Sequence, residues 1–316
     1  MTRVVVLQGG RSSEHDVSLA SAGSVVVALR KRGHDVETIE LARGASWLPD
    51  AATAAALSGA DVVFPVLHGP FGEDGSVQGL LELAGVPYVG AGITASALCM
   101  DKDLFKSVLR DQEIPVTRNI TLRRGESAAN PFGYPVFVKP ARLGSSVGIS
   151  KAHDENELGR AVELAFEHDE KVLVEEFVTG TEVEVGVLGN HHPTVSLPGQ
   201  IVVTSKEWYD YSAKYDEGEM VLRVPPKISS AQVARARELA LRSFVAAECE
   251  GMARVDMFVR EDGEVLVNEL NTIPGFTSTS VYAKLFEASG VAYGDLLEQL
   301  LALAIERHER RRNLRY

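Results

Sequence analysis

The stretch EVLVNELNTIPGFTSTS, residues 264–280, opens as a strand and ends in a hydroxyl-rich turn. Glu264 to Leu270 reads as a half-buried strand of alternating polarity. At its end Glu269 and Asn271 stand two residues apart, which places them on one face of the strand. Pro274 and Gly275 break the chain, and Thr277, Ser278, Thr279 and Ser280 follow. Taken alone, this pattern suits a solvated strand end as well as a metal site. The preceding segment MARVDMFVR (252–260) reads as a partner strand, with a turn near Asp262 and Gly263. Antiparallel pairing across that turn brings Asp256 near Glu269. Three oxygen-bearing side chains then share a face, a donor set that suits Mg²⁺ and nucleotide phosphates. The apolar neighbours Val255, Met257, Val267 and Leu270 argue against a merely solvated sheet face.

The rest of the chain carries α/β punctuation. Val4 to Leu7 reads as a buried parallel strand turned by Gly9 and Gly10, with Ser13 capping a helix whose Val17, Ala20, Ser24 and Val27 fall near helical spacing. HDVETIEL (34–41) and DVVFPVLHG (61–69) read as further strands. Residues 73–85 read as a helix closing on Gly85, and VPYVGAG (86–92) as a short strand. A ligand crevice is expected beyond the strand C-termini, near Gly9, Gly10 and His68. One helix is expected over 94–113, ended by Ile114-Pro115. After it come a strand at 134–140, a Gly/Ser loop, a helix near 154–168, a strand-rich run to about 205, a polar loop at 205–220 and a helix over 229–250. Lys139 ends an apolar strand ahead of PARLGSSVG, whose small residues free backbone N–H groups for phosphate oxygens. It is not the P-loop arrangement, in which the lysine follows the glycines. Lys102, alone, reads equally as a solvated helix lysine.

Composition bounds the function. The 316 residues are 45% hydrophobic and 24% charged, as in a globular protein of two or three domains. A net charge of -12 opposes nonspecific nucleic-acid binding. The basic run ERHERRRNLRY (306–316) suits a solvated helix end. Two cysteines, Cys99 and Cys249, give no disulfide framework. The opening residues already read as a strand and no apolar run reaches membrane length, so a soluble cytoplasmic protein is expected, without membrane or nucleic-acid partners.

Together GGRSSEHDVSL (9–19), HGPFGEDGSVQGLLE (68–82), CMDK (99–102), VKPARLGSSVGISK (138–151), YDYSAKY (209–215), ARVD (253–256) and NELNTIPGFTSTS (268–280) resemble the D-alanine–D-alanine ligases of the ATP-grasp superfamily. The resemblance implies an N-terminal doubly wound parallel-sheet domain (1–95), followed by a two-part ATP-grasp fold: a central subdomain (96–179) and a C-terminal one (180–316) with a mobile lid at about 205–220. It implies that Lys102 and Lys139 touch ATP phosphates, that Glu175, Phe177 and Val178 hold adenine, that Glu182 binds ribose, and that Lys214 closes over the phosphates from the lid. Asp256, Glu269 and Asn271 match ligands of two Mg²⁺ ions, with Mn²⁺ as a substitute. Arg254 and the Gly275 N–H match groups facing the oxyanion of a tetrahedral intermediate. Glu14 resembles the acid that receives the ammonium of the first D-alanine, with Ser145 and Tyr215 linked to it and His68 near the same substrate; a polar strand-end cap is an equal reading of His68. Ser280 resembles the residue binding the second substrate's carboxylate. Val281 departs from the family's usual Met or Leu and is expected to reshape that second pocket. The implied reaction joins two D-alanines through an acyl phosphate, for peptidoglycan precursors, in a homodimer. A D-lactate- or D-serine-incorporating relative, or a natural-product dipeptide ligase, is the alternative; Tyr215 favours D-alanine over D-lactate.

Overall fold

The structure is a computed structural model and describes residues 1–44, 49–203 and 220–315. The expected lid, with Lys214 and Tyr215, falls outside the described residues. The first sheet is parallel, ordered β2-β1-β3, from β1 (Arg3–Gly9), β2 (Asp35–Leu41) and β3 (Val62–Pro65). Val4 to Leu7 are fully buried because helices cover both faces of this sheet. VPYVGAG contributes a single parallel bridge, Tyr88 to Val63, instead of a strand.

Helix α1 (His15–Lys31) buries Ser18, Ala22, Val25, Val26 and Leu29, so its core face is rotated from the expected one and Val27 is exposed. Ser18 and Ser21 explain the rotation. Both hydroxyls are buried and hydrogen-bonded, Ser18 to the Gly9 N–H at 2.8 Å and Ser21 to the Phe276 N–H at 3.2 Å. Apolarity alone hides such a face. The N-cap position is Glu14, not Ser13, and Glu14 makes no capping bond. Helices α2 (Ala51–Ser58) and α3 (Ser76–Ala84) follow, the latter closing on a left-handed Gly85 as expected.

The helix expected over 94–113 is two, α4 (Ile93–Met100) and α5 (Lys102–Asp111). Asp101 leaves the helical conformation, with ψ at 96°, and its carboxylate caps α5 through the Leu104 N–H at 3.1 Å. This break sends Lys102 into α5's first turn, where its ammonium reaches the Leu143 carbonyl of the Gly/Ser loop.

The central sheet is antiparallel, ordered β4-β7-β5-β6, from β4 (Asn119–Arg123), β5 (Val136–Pro140), β6 (Ser150–Ala152) and β7 (Lys171–Glu176). Helix α6 (Glu155–His168), capped by Asp154, closes one face over its own core. The third sheet runs β11-β10-β8-β12-β13, with β9 (Thr194–Val195) beside β8. Its strands are β8 (Gly180–Gly189), β10 (Gly199–Val203), β11 (Met220–Arg223), β12 (Gly251–Arg260) and β13 (Val265–Asn271). Helix α7 (Ser230–Ala246) starts on a Ser229/Gln232 capping box and buries Leu239 and Phe244 against this sheet, together with Phe105 and Leu109 of α5. Helices α8 (Val281–Ala288) and α9 (Tyr293–Arg312) end the chain; α9 returns to the first sheet, where Leu296, Leu297, Leu300 and Leu301 share a core with Val4, Val6 and Phe64.

Candidate active site

A cavity of about 460 Å³ opens between the central and third sheets. The hairpin read from sequence supplies one wall. Register pairs Arg254 with Asn271 and Asp256 with Glu269, and on the other side Asp256 with Glu184 of β8. Directly paired residues share a face, so Glu184, Asp256 and Glu269 form a carboxylate row across three strands. Among the described residues two cations hold it: the Arg254 guanidinium grips Asp256 through two bonds of 2.7 Å and lies 2.9 Å from Glu184, and Lys102 Nζ is 3.4 Å from Glu269. The Asn271 amide donates to Asp256 at 2.9 Å.

The alternation expected for 264–270 does not hold: Val265, Leu266 and Val267 are all buried, and at Asn268 the pairing itself slips. The pairing shifts between Asp256 and Met257, leaving Asn268 as an extra residue on β13. This bulge turns Asn268 and Glu269 together into the cavity, which both line. The signal was present as two adjacent polar residues inside an apolar strand. Asp256, Glu269 and Asn271 converge as expected, and an all-oxygen set of two carboxylates and an amide fits a hard divalent cation. Among the described residues, no group of three or more His, Cys, Asp and Glu side chains is gathered for a metal.

The opposite wall is the central sheet. Lys102 Nζ donates to the Leu143 carbonyl at 2.9 Å, and Lys139 Nζ to Glu175 at 2.5 Å and to Asn268 at 3.3 Å. Glu175 is 1% exposed and shared between Lys139 and Lys106, a residue the sequence reading passed over. Burial raises the Glu175 pKa, but the two lysines outweigh it and hold the carboxyl at about 2. Its carboxylate is thus committed to the lysines, while Phe177, Val178 and Glu182 line the cavity beyond it. Phe177 packs on Phe137, ring centroids 6.0 Å apart, and Lys151 Nζ lies 4.3 Å from the Phe177 centroid.

A second cluster joins the first sheet to the Gly/Ser loop. Ser145 Oγ donates to the buried Glu14 carboxylate. Ser145 and Ser146 sit at φ 51° and 58°, left-handed conformations that cost about 1–3 kcal/mol each. A Cβ on Gly69, itself at φ +74°, would lie 2.8 Å from Glu14 Oε2, so glycine is required there. His68 is buried and contacts the Ile273 carbonyl at 3.0 Å, with Glu73 at 3.5 Å. Burial lowers the His68 pKa, but Glu73, assisted by Glu14, raises it above the ordinary imidazole value. Glu73 lay inside a quoted motif without a role.

Gly275 and Ser280 face each other across the turn after β13: Ser280 Oγ accepts from the Thr277 N–H at 3.0 Å, and a Cβ on Gly275 would lie 3.3 Å from it. Val281 does not join them. It is 8% exposed and packs with Ile201 and Leu285 in a small core, so its size is set by that packing. Phe276 anchors the turn, with Phe64, Tyr282 and Tyr293 centroids at 5.6, 5.7 and 5.9 Å.

The model of the D-ala D-ala ligase C-terminus matches residues 108–302, and that of the D-ala D-ala ligase N-terminus matches 3–58 and 48–91. A D-alanine–D-alanine ligase A from Mesorhizobium japonicum is 44% identical, over 98% of this chain and 99% of its own. Among solved structures, the VanG D-Ala:D-Ser ligase of Enterococcus faecalis superposes with TM-score 0.84 at 35% identity, covering 96% of this chain and 99% of that one. The D-alanine–D-alanine ligase of Bacillus anthracis complexed with ATP gives TM-score 0.84 at 27% identity, covering 98% of this chain and all of that one. Matched by both family models and by a relative of this identity along nearly its whole length, the chain belongs to the D-alanine–D-alanine ligase family.

Proposed function

We propose that the protein joins two D-alanines at the expense of ATP, giving D-alanyl-D-alanine, ADP and phosphate for peptidoglycan precursors. The carrying observation is the cavity lined by Lys102, Lys139 and Glu269, the last member of the carboxylate row, with Ser145, the partner of Glu14, on the adjoining loop. A carboxylate is a poor electrophile. Its oxygen attacks the γ-phosphorus, ADP leaves, and an acyl phosphate forms. The free amine of the second D-alanine then attacks the acyl carbon, and phosphate leaves as the tetrahedral oxyanion collapses.

We assign the roles from the family pattern, and the positions of these side chains support it. Lys102 and Lys139 offer ammonium groups to phosphate oxygens, Phe177 and Val178 offer an apolar and backbone surface to adenine, and Glu182 serves the ribose. Glu14, oriented by Ser145, receives the first ammonium, with His68 beside it. Arg254 and the Gly275 N–H face the oxyanion, and Ser280 the second carboxylate. Asp256, Glu269 and Asn271 would hold Mg²⁺, or Mn²⁺ in its place. When bound, the ions neutralise phosphate charge. We assign Lys214 and Tyr215 to a lid that excludes water from the acyl phosphate. The working unit is a homodimer acting in the cytoplasm, divided at 1–95, 96–179 and 180–316; no helix among the described residues is long and apolar enough to cross a membrane. Purified protein with ATP, Mg²⁺ and a panel of D-amino and D-hydroxy acids, scored by phosphate release and product mass, tests the reading. A dominant D-alanyl-D-serine or D-alanyl-D-lactate product overturns it.

A further inference from the structure

Lys106 lies one helical turn beyond Lys102 on α5, yet the two lysines have different surroundings. Lys102 lines the cavity, whereas Lys106 is fully buried and does not reach it. Lys106 Nζ donates to Thr117 Oγ1 at 2.5 Å and to one oxygen of Glu175. The other Glu175 oxygen takes Lys139 at 2.5 Å. Register explains the last contact: Glu175 pairs with Phe137, and Lys139 stands two residues further along β5, on the same face and on the diagonal. The chain of contacts therefore runs from Lys106 through Glu175 to Lys139 and on to Asn268 of β13, linking the central and third sheets.

Charge gives this arrangement a purpose. A single carboxylate shared by two ammonium groups leaves the trio with one net positive charge. Without Lys106, Glu175 would cancel Lys139, and the cavity would face an ATP phosphate with a neutralised lysine. Burying an ammonium is costly unless it is paired and hydrogen-bonded, and burial indeed pulls the Lys106 pKa down to about 8 against the opposing pull of Glu175. A helix lysine with no structural need for a charge could have been a leucine.

We propose that Lys106 is a positioning residue for the nucleotide: by sharing Glu175 it fixes the Lys139 ammonium in place and keeps the cavity's phosphate end positive. The inference rests on the proposed use of ATP and of Lys139 as a phosphate contact. The test is ATP affinity and the separate KM values for ATP and D-alanine in full-length wild type, Lys106→Met and Lys106→Arg, each first shown to be folded by far-UV circular dichroism. Loss of one net charge from the trio behind the cavity is expected to raise the ATP KM of Lys106→Met about tenfold. Its D-alanine KM should stay at the wild-type value, and Lys106→Arg, which keeps the charge, should recover ATP binding. If Lys106→Met does not fold, Lys106→Gln keeps polar contacts to Thr117 and Glu175 without the charge, and is read by the same criterion. Equal ATP KM in folded wild type and uncharged variant overturns the inference, as does an arginine variant as weak as the uncharged one. A wild-type protein that does not bind ATP would instead overturn the proposed function itself.

Discussion

Replacing Phe276 by leucine should loosen the second-substrate turn while sparing the nucleotide site. Phe276 is fully buried, touches three aromatic rings and is held at both backbone ends. Its N–H donates to Ser21, and its carbonyl accepts from the Tyr293 hydroxyl at 2.7 Å. Complete truncation of a buried phenylalanine costs about 3–5 kcal/mol, and leucine restores roughly half of the lost volume. Three aromatic pairs of about 0.5–1.5 kcal/mol each are replaced by ordinary apolar contact. These overlap, so a net loss of about 2–3 kcal/mol is expected. For 316 residues the unfolding entropy is on the order of 0.7 kcal/mol/K, which converts that loss into a Tm drop of about 3–5 °C. Because Gly275 precedes Phe276 and Ser280 lies four residues on, the KM for the second D-alanine should rise several-fold while that for ATP changes little. Differential scanning calorimetry and initial rates at varied D-alanine and ATP check both. A Tm within 1 °C of wild type, or an ATP KM that rises as much as that for D-alanine, would refute the reasoning.

Glu269→Gln should lower turnover by about tenfold or more with an unchanged circular dichroism spectrum, since the proposed hard-cation ligand loses its charge but keeps its shape; near-normal turnover at saturating Mg²⁺ sinks the metal assignment. The Glu175 carboxyl falls from an ordinary value near 4.5 to about 2 on folding. It therefore contributes stability that is fully present above about pH 4.5 and is lost as pH falls towards 2. Glu175→Gln should thus be less stable than wild type at neutral pH, with the gap in urea midpoints closing over that acidic window; a gap independent of pH counts against the pairing. Tyr215→Phe should raise D-lactate incorporation relative to D-alanine, most at low pH, where free amine is scarce because an α-amino group titrates near pH ~8. An unchanged product ratio from an equimolar mixture between about pH 6 and 9 removes Tyr215 from substrate selection.

The 252–271 hairpin was legible because its apolar residues and its Asp-Gly turn both specify one pairing, which brings Asp256 to within one residue of Glu269. The Asn268 bulge was not, since a strand period of two assigns neighbouring residues to opposite faces. Asp101 hid a helix break in the same way: an aspartate within a helical pattern reads as one more exposed position until its side chain is seen to cap the next helix. Motif order located Glu14 and Ser145, which lie 131 residues apart and meet only through tertiary structure. Lys106 and Glu73 escaped because a lysine or a glutamate in an amphipathic helix or a glycine-rich loop is ordinarily solvated. Only the buried partner reveals otherwise. Val281, expected from the family pattern to shape the second-substrate pocket, packs with Ile201 and Leu285 in a small core, a contact that no local pattern announces.

Helix α9 packs its leucines against the strands β1 and β3, far away in sequence. One face of β1 and β3 is closed by Leu296, Leu297, Leu300 and Leu301, and Arg307, itself buried, donates to the carbonyls of Tyr88 and Gly90. During synthesis, at about 5–20 residues per second, Val4 and Val6 emerge long before the leucines that cover them. The amino-terminal sheet therefore cannot complete its core as an independent early unit. The central sheet, whose core lies within residues 122–174, can do so well before the termini meet. Closure of the first sheet by α9 is the natural late event, and a chain cut short before residue 296 would leave an apolar sheet face open to chaperones and to self-association.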